Sequence, residues 1–286
     1  GATEPPVTKS ADMKYNVLFI AVDTLRASHL GAYGYPKPTS PNIDSLFAES
    51  IQFDEAMSTA PWTLPSFATM LTSQYTSTHG CWDFDDTLDP SFPTLPEQLV
   101  DAGYHTGAVV GHIFLGSKFG LQQGFEYYDE SLVLDTLGKS HLAITSEVIT
   151  DKSISFLEQH AAERADQPWL LWTHYFDPHN KYQPHKGITS TFGANRKARY
   201  DGEIAYTDQH VGRLLQYLKD HGMYDNTVIV FVSDHGEEFK DHGSILHGKT
   251  LFREVIRVPM AIRVPGVAAK QIKQLVGTID LMPTVL

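Results

Sequence analysis

Cysteine is almost absent from these 286 residues: Cys81 stands alone, so no disulfide can form within the chain and thiols say nothing of its compartment. Long hydrophobic runs are missing too. No stretch approaches the roughly 20 apolar residues that a membrane-spanning helix needs. Residues 1–12 lack the apolar core of an export signal and read as a disordered leading segment. Positive charge is scarce. With 22 Lys and Arg against 34 Asp and Glu, the net charge is −12, which excludes a nucleic-acid footprint and leaves no polybasic membrane patch. Internal repeats and low-complexity tracts are lacking as well. What remains is an ordinary globular composition, 42% apolar and 20% charged, long enough for one large domain or two small ones. An anionic substrate would need local cationic help against that background.

Apolar β-rich runs alternate with amphipathic stretches, the pattern of a mostly parallel central sheet with helices on both faces. Strands are expected over Tyr15 to Asp23, Tyr104 to Val110, Trp169 to Tyr175, Thr227 to Ser233 and Pro259 to Val264. Most lack strict alternation, as strands buried on both faces do. Helix starts are expected after Ser40-Pro41, at Pro65, after Thr94, near Ser146 and near Tyr200, where Pro or a capping hydroxyl supplies the signal. Apolar residues at helical spacing run from Ile204 to Leu218, and His221-Gly222 marks the stop. The final residues, Thr278 to Leu286, read as the opening of a helix cut short.

Two apolar strands end in hard-metal ligands: Val17 to Val22 runs into Asp23, and Val228 to Ser233 into Asp234-His235-Gly236. In open α/β sheets chemistry collects at the carboxyl ends of the strands. Either aspartate alone is better read as a helix cap. The pair, with His235 attached, reads as a site for one divalent ion, with calcium, manganese and zinc as candidates. Thr63, in Ala60-Pro61-Trp62-Thr63-Leu64-Pro65-Ser66, is the candidate nucleophile, because a metal and a helix N-terminus can lower a hydroxyl pKa. His174, His185, His210 and His221 are read as structural.

The ordered set of motifs resembles the sulfatases of the alkaline phosphatase superfamily. It runs from Asp23-Thr24-Leu25-Arg26 through Leu30 to Gly34, Ser40 to Asp44, Ala60 to Ser66 and Asp177-Pro178-His179. It continues through Tyr200 to Tyr206, Ser233 to Glu238 and Gly248-Lys249, and closes with Asp280 to Thr284. The resemblance implies an alkaline-phosphatase-like α/β catalytic domain over residues 13–286, truncated at its C-terminal end and without the smaller C-terminal subdomain. It further implies one divalent metal held by Asp23, Thr63, Asp234 and His235. His179 and Lys249 would then act on the ester and its leaving oxygen. A small anionic ester would be the substrate, and a periplasmic or secreted location is expected.

Several positions depart from the sulfatase pattern. Thr63 and Phe67 stand where Cys or Ser and Arg are usual, so formylglycine cannot form. Thr24 replaces the second aspartate of an Asp-Asp pair, and His112 stands where a substrate-binding lysine would be. Together with His247, these features resemble the phosphodiesterase, phosphonate monoesterase and phosphoethanolamine transferase branches. The expected function is therefore hydrolysis of sulfuric or phosphoric esters through Thr63, with His112 and His247 on the substrate. The alternatives are a transferase of that kind and a binding relative with weak catalysis. A second metal on Asp177, His179 and His247 ranks below a single site.

Overall fold

A computed structural model of the chain describes residues 14–135 and 144–286, so the expectation for residues 1–12 lies outside the described residues. The strands are β1 (Asn16–Val22), β2 (Ile51–Met57), β3 (His105–Val109), β4 (Tyr127–Asp129), β5 (Trp169–Tyr175) and β6 (Thr227–Ser233). They continue with β7 (Glu238–Phe239), β8 (Ile245–Leu246), β9 (Arg257–Arg263) and β10 (Lys270–Gly277). Eight form one sheet in the order β10-β2-β9-β6-β1-β5-β3-β4, and β7 and β8 form a separate hairpin. Within the large sheet only β9 runs antiparallel to its neighbours. The mostly parallel α/β architecture is thus the one expected.

Alternation across β1 explains its unbroken apolar run. Val17, Phe19 and Ala21 face one buried layer with Leu64, Phe67 and Leu71; Leu18, Ile20 and Val22 face another with Ile43, Leu214 and Leu218. A strand sandwiched this way has no solvent face to carry polar residues.

The helices are α1 (Pro41–Ala48), α2 (Thr63–Thr72), α3 (Thr76–His79), α4 (Leu95–Asp101), α5 (Ser131–Asp135), α6 (Ser146–Glu163) and α7 (Arg196–Asp220). Two more, α8 (Arg253–Ile256) and α9 (Leu281–Val285), lie near the end of the chain. At α4 the Thr94 hydroxyl accepts from Glu97 N–H while Glu97 accepts from Thr94 N–H, a capping box. Helix α2 begins at Thr63 rather than Pro65, which sits within the first turn. All ten residues of α2 are buried.

Candidate metal centre

The central strand order β6-β1-β5 brings three chain segments to one edge. Val22 pairs with Ser233 on one side and with Tyr175 on the other. Asp23, the next residue along β1, therefore meets Asp234, the next along β6. His235 follows, and its Nε2 lies 3.6 Å from Asp23 Oδ1 and 3.2 Å from Asp234 Oδ2. The ligand atoms of these three buried residues all fall within 4.8 Å of one another. Thr63, the first residue of α2 and 2% exposed, places Oγ1 at 3.4 Å from His235 Nε2. All four expected ligands are thus brought together. Ser66, the other hydroxyl near this helix start, is tied down by donating to the Trp62 carbonyl at 2.8 Å.

Thr24 closes the back of the site. Its N–H donates to Asp234 Oδ1 at 3.1 Å and its hydroxyl to Asp23 Oδ1 at 2.6 Å. It does so at φ 60°, a left-handed conformation that β-branched residues avoid, so the surroundings hold local strain at this turn.

Whether a cation suits this cluster can be judged from what is left unbonded. Asp23 Oδ2 and Asp234 Oδ2 are buried without a hydrogen-bond partner. Such atoms cost roughly 1–3 kcal/mol each when uncompensated. Burial and the neighbouring Asp234 push the Asp23 pKa well above the carboxylate range. Burial acts to raise Asp234 as well, but His235 holds it at about 2. For His235 burial acts downward, yet Asp234 and Asp23 raise it to about 9. Two carboxylates, an imidazole and a hydroxyl therefore converge with free oxygen lone pairs, a donor set that fits a divalent ion.

Histidines line the approach. The His247 ring lies 4.3 Å from that of His235 and 5.0 Å from that of His179, and His179 lies 5.4 Å from His112. Buried Glu237 accepts from the His247 Nδ1 side at 3.1 Å and from the Tyr182 hydroxyl at 2.6 Å, fixing the ring. Burial, then His179 and His174, depress the His112 pKa far below its ordinary value. Hairpin β7-β8 carries His247 back over the site, and Gly248 N–H bonds the Pro61 carbonyl at 2.9 Å. Lys249 follows, exposed, and among the described residues no hydrogen bond, ion pair or ring contact joins it to Thr63 or these imidazoles.

One reading changes, and one lower-ranked alternative loses a ligand. Asp177, offered for a second metal with His179 and His247, has both carboxylate oxygens engaged by Thr145 and Ser146. It is buried at the start of α6, accepting from Thr145 N–H at 2.7 Å and from Ser146 N–H and hydroxyl. His174 is not an ordinary structural histidine. It is fully buried on β5 with neither ring nitrogen bonded, and its Nε2 lies 3.6 Å from Asp23 Oδ2. Phe67, which stands where the sulfatase pattern has arginine, packs on it with ring centroids 5.3 Å apart. By contrast His185 bonds Glu203 at 2.6 Å, His210 lies 3.1 Å from Arg213 Nη1, and His221 bonds the Tyr217 carbonyl. A signal for His174 did exist: it sits one residue from the end of the strand beside β1, the edge where Asp23 already pointed.

A sulfatase family profile matches residues 15–286. Uncharacterized sulfatase YidJ of Escherichia coli (strain K12) is 25% identical over 95% of this chain and 67% of its own length. An ulvan-active sulfatase of Formosa agariphila is 27% identical over 96% and 61%. The chain thus spans about two thirds of the length of these curated relatives. The phosphonate monoester hydrolase of Agrobacterium radiobacter shares the fold, with TM-score 0.76 and 21% identity over 95% of this chain and 73% of that one. On the strength of a match that leaves out only residues 1–14, the chain belongs to the sulfatase family.

Proposed function

We propose that this chain forms the catalytic core of a metal-dependent hydrolase of phosphoric or sulfuric esters, with Thr63 as nucleophile. The observation that carries this reading is the buried Thr63 hydroxyl at 3.4 Å from His235, among two carboxylates that each keep an unbonded oxygen. A divalent ion held by Asp23, Asp234, His235 and Thr63 would supply the positive charge that favours an ionised alcohol and steadies an ester oxygen, and the imidazole favours manganese or zinc over calcium.

The chain's own groups do the rest. Thr63 stands at the N-terminus of α2, whose unpaired N–H groups favour negative charge on its oxygen. That oxygen forms the new bond to phosphorus or sulfur, while the bond to the departing alcohol breaks and its oxygen takes a proton from His247 or His179. His112 and Lys249 are assigned to the non-bridging oxygens. The covalent ester of Thr63 is then hydrolysed by water. Thr63 favours phosphorus, since formylglycine, with its easy route for shedding bound sulfate, cannot form there. The family relation supports a small anionic ester as substrate and an extracytoplasmic location. No described helix is long and apolar enough to cross a membrane.

The test is turnover of 4-nitrophenyl phosphate, phosphodiester, phosphonate and sulfate esters with manganese, zinc, calcium and magnesium. Thr63→Ala should lose on the order of a thousandfold or more in kcat. Full turnover by that variant removes Thr63 from the mechanism. An unmodified chain that is silent with every pairing of ester and metal supports the binding relative, a reading that Phe67 in place of arginine favours.

A further inference from the structure

Beside Thr63 the surface carries aromatic rings that folding buries only in part: Trp62 and Phe114 are half-buried against the core, and Phe84 is exposed. Trp62, Phe84 and Phe114 come from three separate segments: the residue before α2, the connection after α3, and the turn after His112. Their ring centroids lie 5.1 Å (Trp62 to Phe84), 5.2 Å (Trp62 to Phe114) and 5.4 Å (Phe84 to Phe114) apart, the last pair stacked. The cluster is anchored from below, where Phe114 meets buried Phe119 at 5.3 Å. On the site side Phe114 lies 5.4 Å from the His112 ring. Phe84 nevertheless remains 66% exposed, and Trp82 beside it 59%. Carboxylates rim the rings. Asp83 and Asp85 are exposed on the same loop, and Asp86 fixes that loop by accepting from Trp82 and Asp83 N–H, both at 2.6 Å.

We infer that these rings form a subsite for the alcohol portion of the ester, and that this alcohol is an uncharged aryl group rather than an anionic saccharide. The inference rests on the ester-hydrolase reading, which puts the reacting phosphorus or sulfur at Thr63. An aryl group leaving from that point reaches the face next to it, and that face begins at Trp62. Offset or edge-on ring pairs at 4.5–7 Å are mutually attractive, so a flat apolar ring gains from a partner already held in place. Phe84 and Trp82 extend this cluster into an exposed apolar surface, the kind of surface on which ligands bind. The carboxylates set the sign. Asp83 and Asp85, exposed on the loop that carries Phe84, disfavour a second negative charge on the leaving group, an effect that added salt weakens.

The experiment measures binding, so it does not depend on turnover. The manganese-loaded chain is titrated calorimetrically with phenylphosphonate, methylphosphonate and 4-carboxyphenylphosphonate. Phenylphosphonate should bind about tenfold tighter than methylphosphonate, the size of one ring-stacking contact plus buried area. The 4-carboxy compound should lose several-fold of that gain. In Phe84→Ala the phenyl-to-methyl ratio should fall towards one, and Phe84→Trp should keep it. Equal binding of phenyl- and methylphosphonate by the unmodified chain overturns the subsite and leaves the ester site standing. Binding of neither overturns both. A 4-carboxy compound that binds as tightly as phenylphosphonate overturns the assignment of an uncharged alcohol.

Discussion

Single residues divide here between scaffold and chemistry in ways that their types do not announce. Asp177 and Asp234 each follow an apolar strand, yet one caps α6 and the other meets His235 in the candidate metal cluster. Asp177→Asn should therefore cost roughly 1–2 kcal/mol of stability, the usual range for a lost cap, in a denaturant titration. Metal content by elemental analysis should stay unchanged; a fall in metal content would return Asp177 to the ligand set. His174 makes the opposite case. Removing a group that supports a metal ligand usually costs 10–100-fold in affinity. His174→Ala should weaken manganese binding by about that factor in a calorimetric titration, and an unaltered affinity would make His174 plain core filling. The sequence marked Asp23, Thr63, Asp234 and His235 as candidates because they end apolar runs or open a helix. For His174 it offered only the position, one residue short of the end of β5, and not the face of the strand from which the ring projects.

Elements were legible in proportion to their burial. β1, β5 and β6 show as unbroken apolar runs because both faces are covered, and β5 and β6 have the expected limits. β2, with Gln52, Asp54 and Glu55, and β10, with Lys270, Gln271, Lys273 and Gln274, escaped notice. β10 lies at the sheet edge, mostly exposed, so its residues answer to water rather than to a core. Much of the motif set proves to be joinery. Asn42 and Ile43, at the start of α1, donate backbone N–H groups to Asp208 of α7, and Asp201 collects His29, Tyr35 and Lys37. Gly236 belongs to the same class. A methyl group there would run into the Glu254 carbonyl oxygen, while Gly236 N–H bonds the Val255 carbonyl at 2.6 Å. Gly236→Ala should displace Asp234-His235, lowering both the melting temperature and manganese affinity. If the two quantities stay at their starting values, close packing at Gly236 has no bearing on the site.

At the scale of the whole molecule, buried imidazoles predict acid sensitivity. His105 bonds His160 through the two Nδ1 atoms at 2.8 Å. Burial, then Arg164, lowers the His105 pKa to about 4. The unfolded chain takes up this proton near 6.5, the ordinary value for a histidine. The folded chain takes it up only near 4, so the stability is complete above 6.5 and drains away as pH falls between the two. Melting temperature in the presence of a chelator should drop across that window, and His105→Phe should flatten part of the slope. A variant whose profile overlays that of the parent would move the acid sensitivity elsewhere.

The adjacency of β6, β1 and β5 has a last consequence. Neighbouring strands stand about 4.8 Å apart, and parallel pairing fixes how far each one advances. A grip on an ion there would be a ruler laid across the middle of the sheet, and a slip of one residue would pull a carboxylate out of reach. Uptake of manganese during refolding would then serve as a clock for the moment when those three strands fall into step.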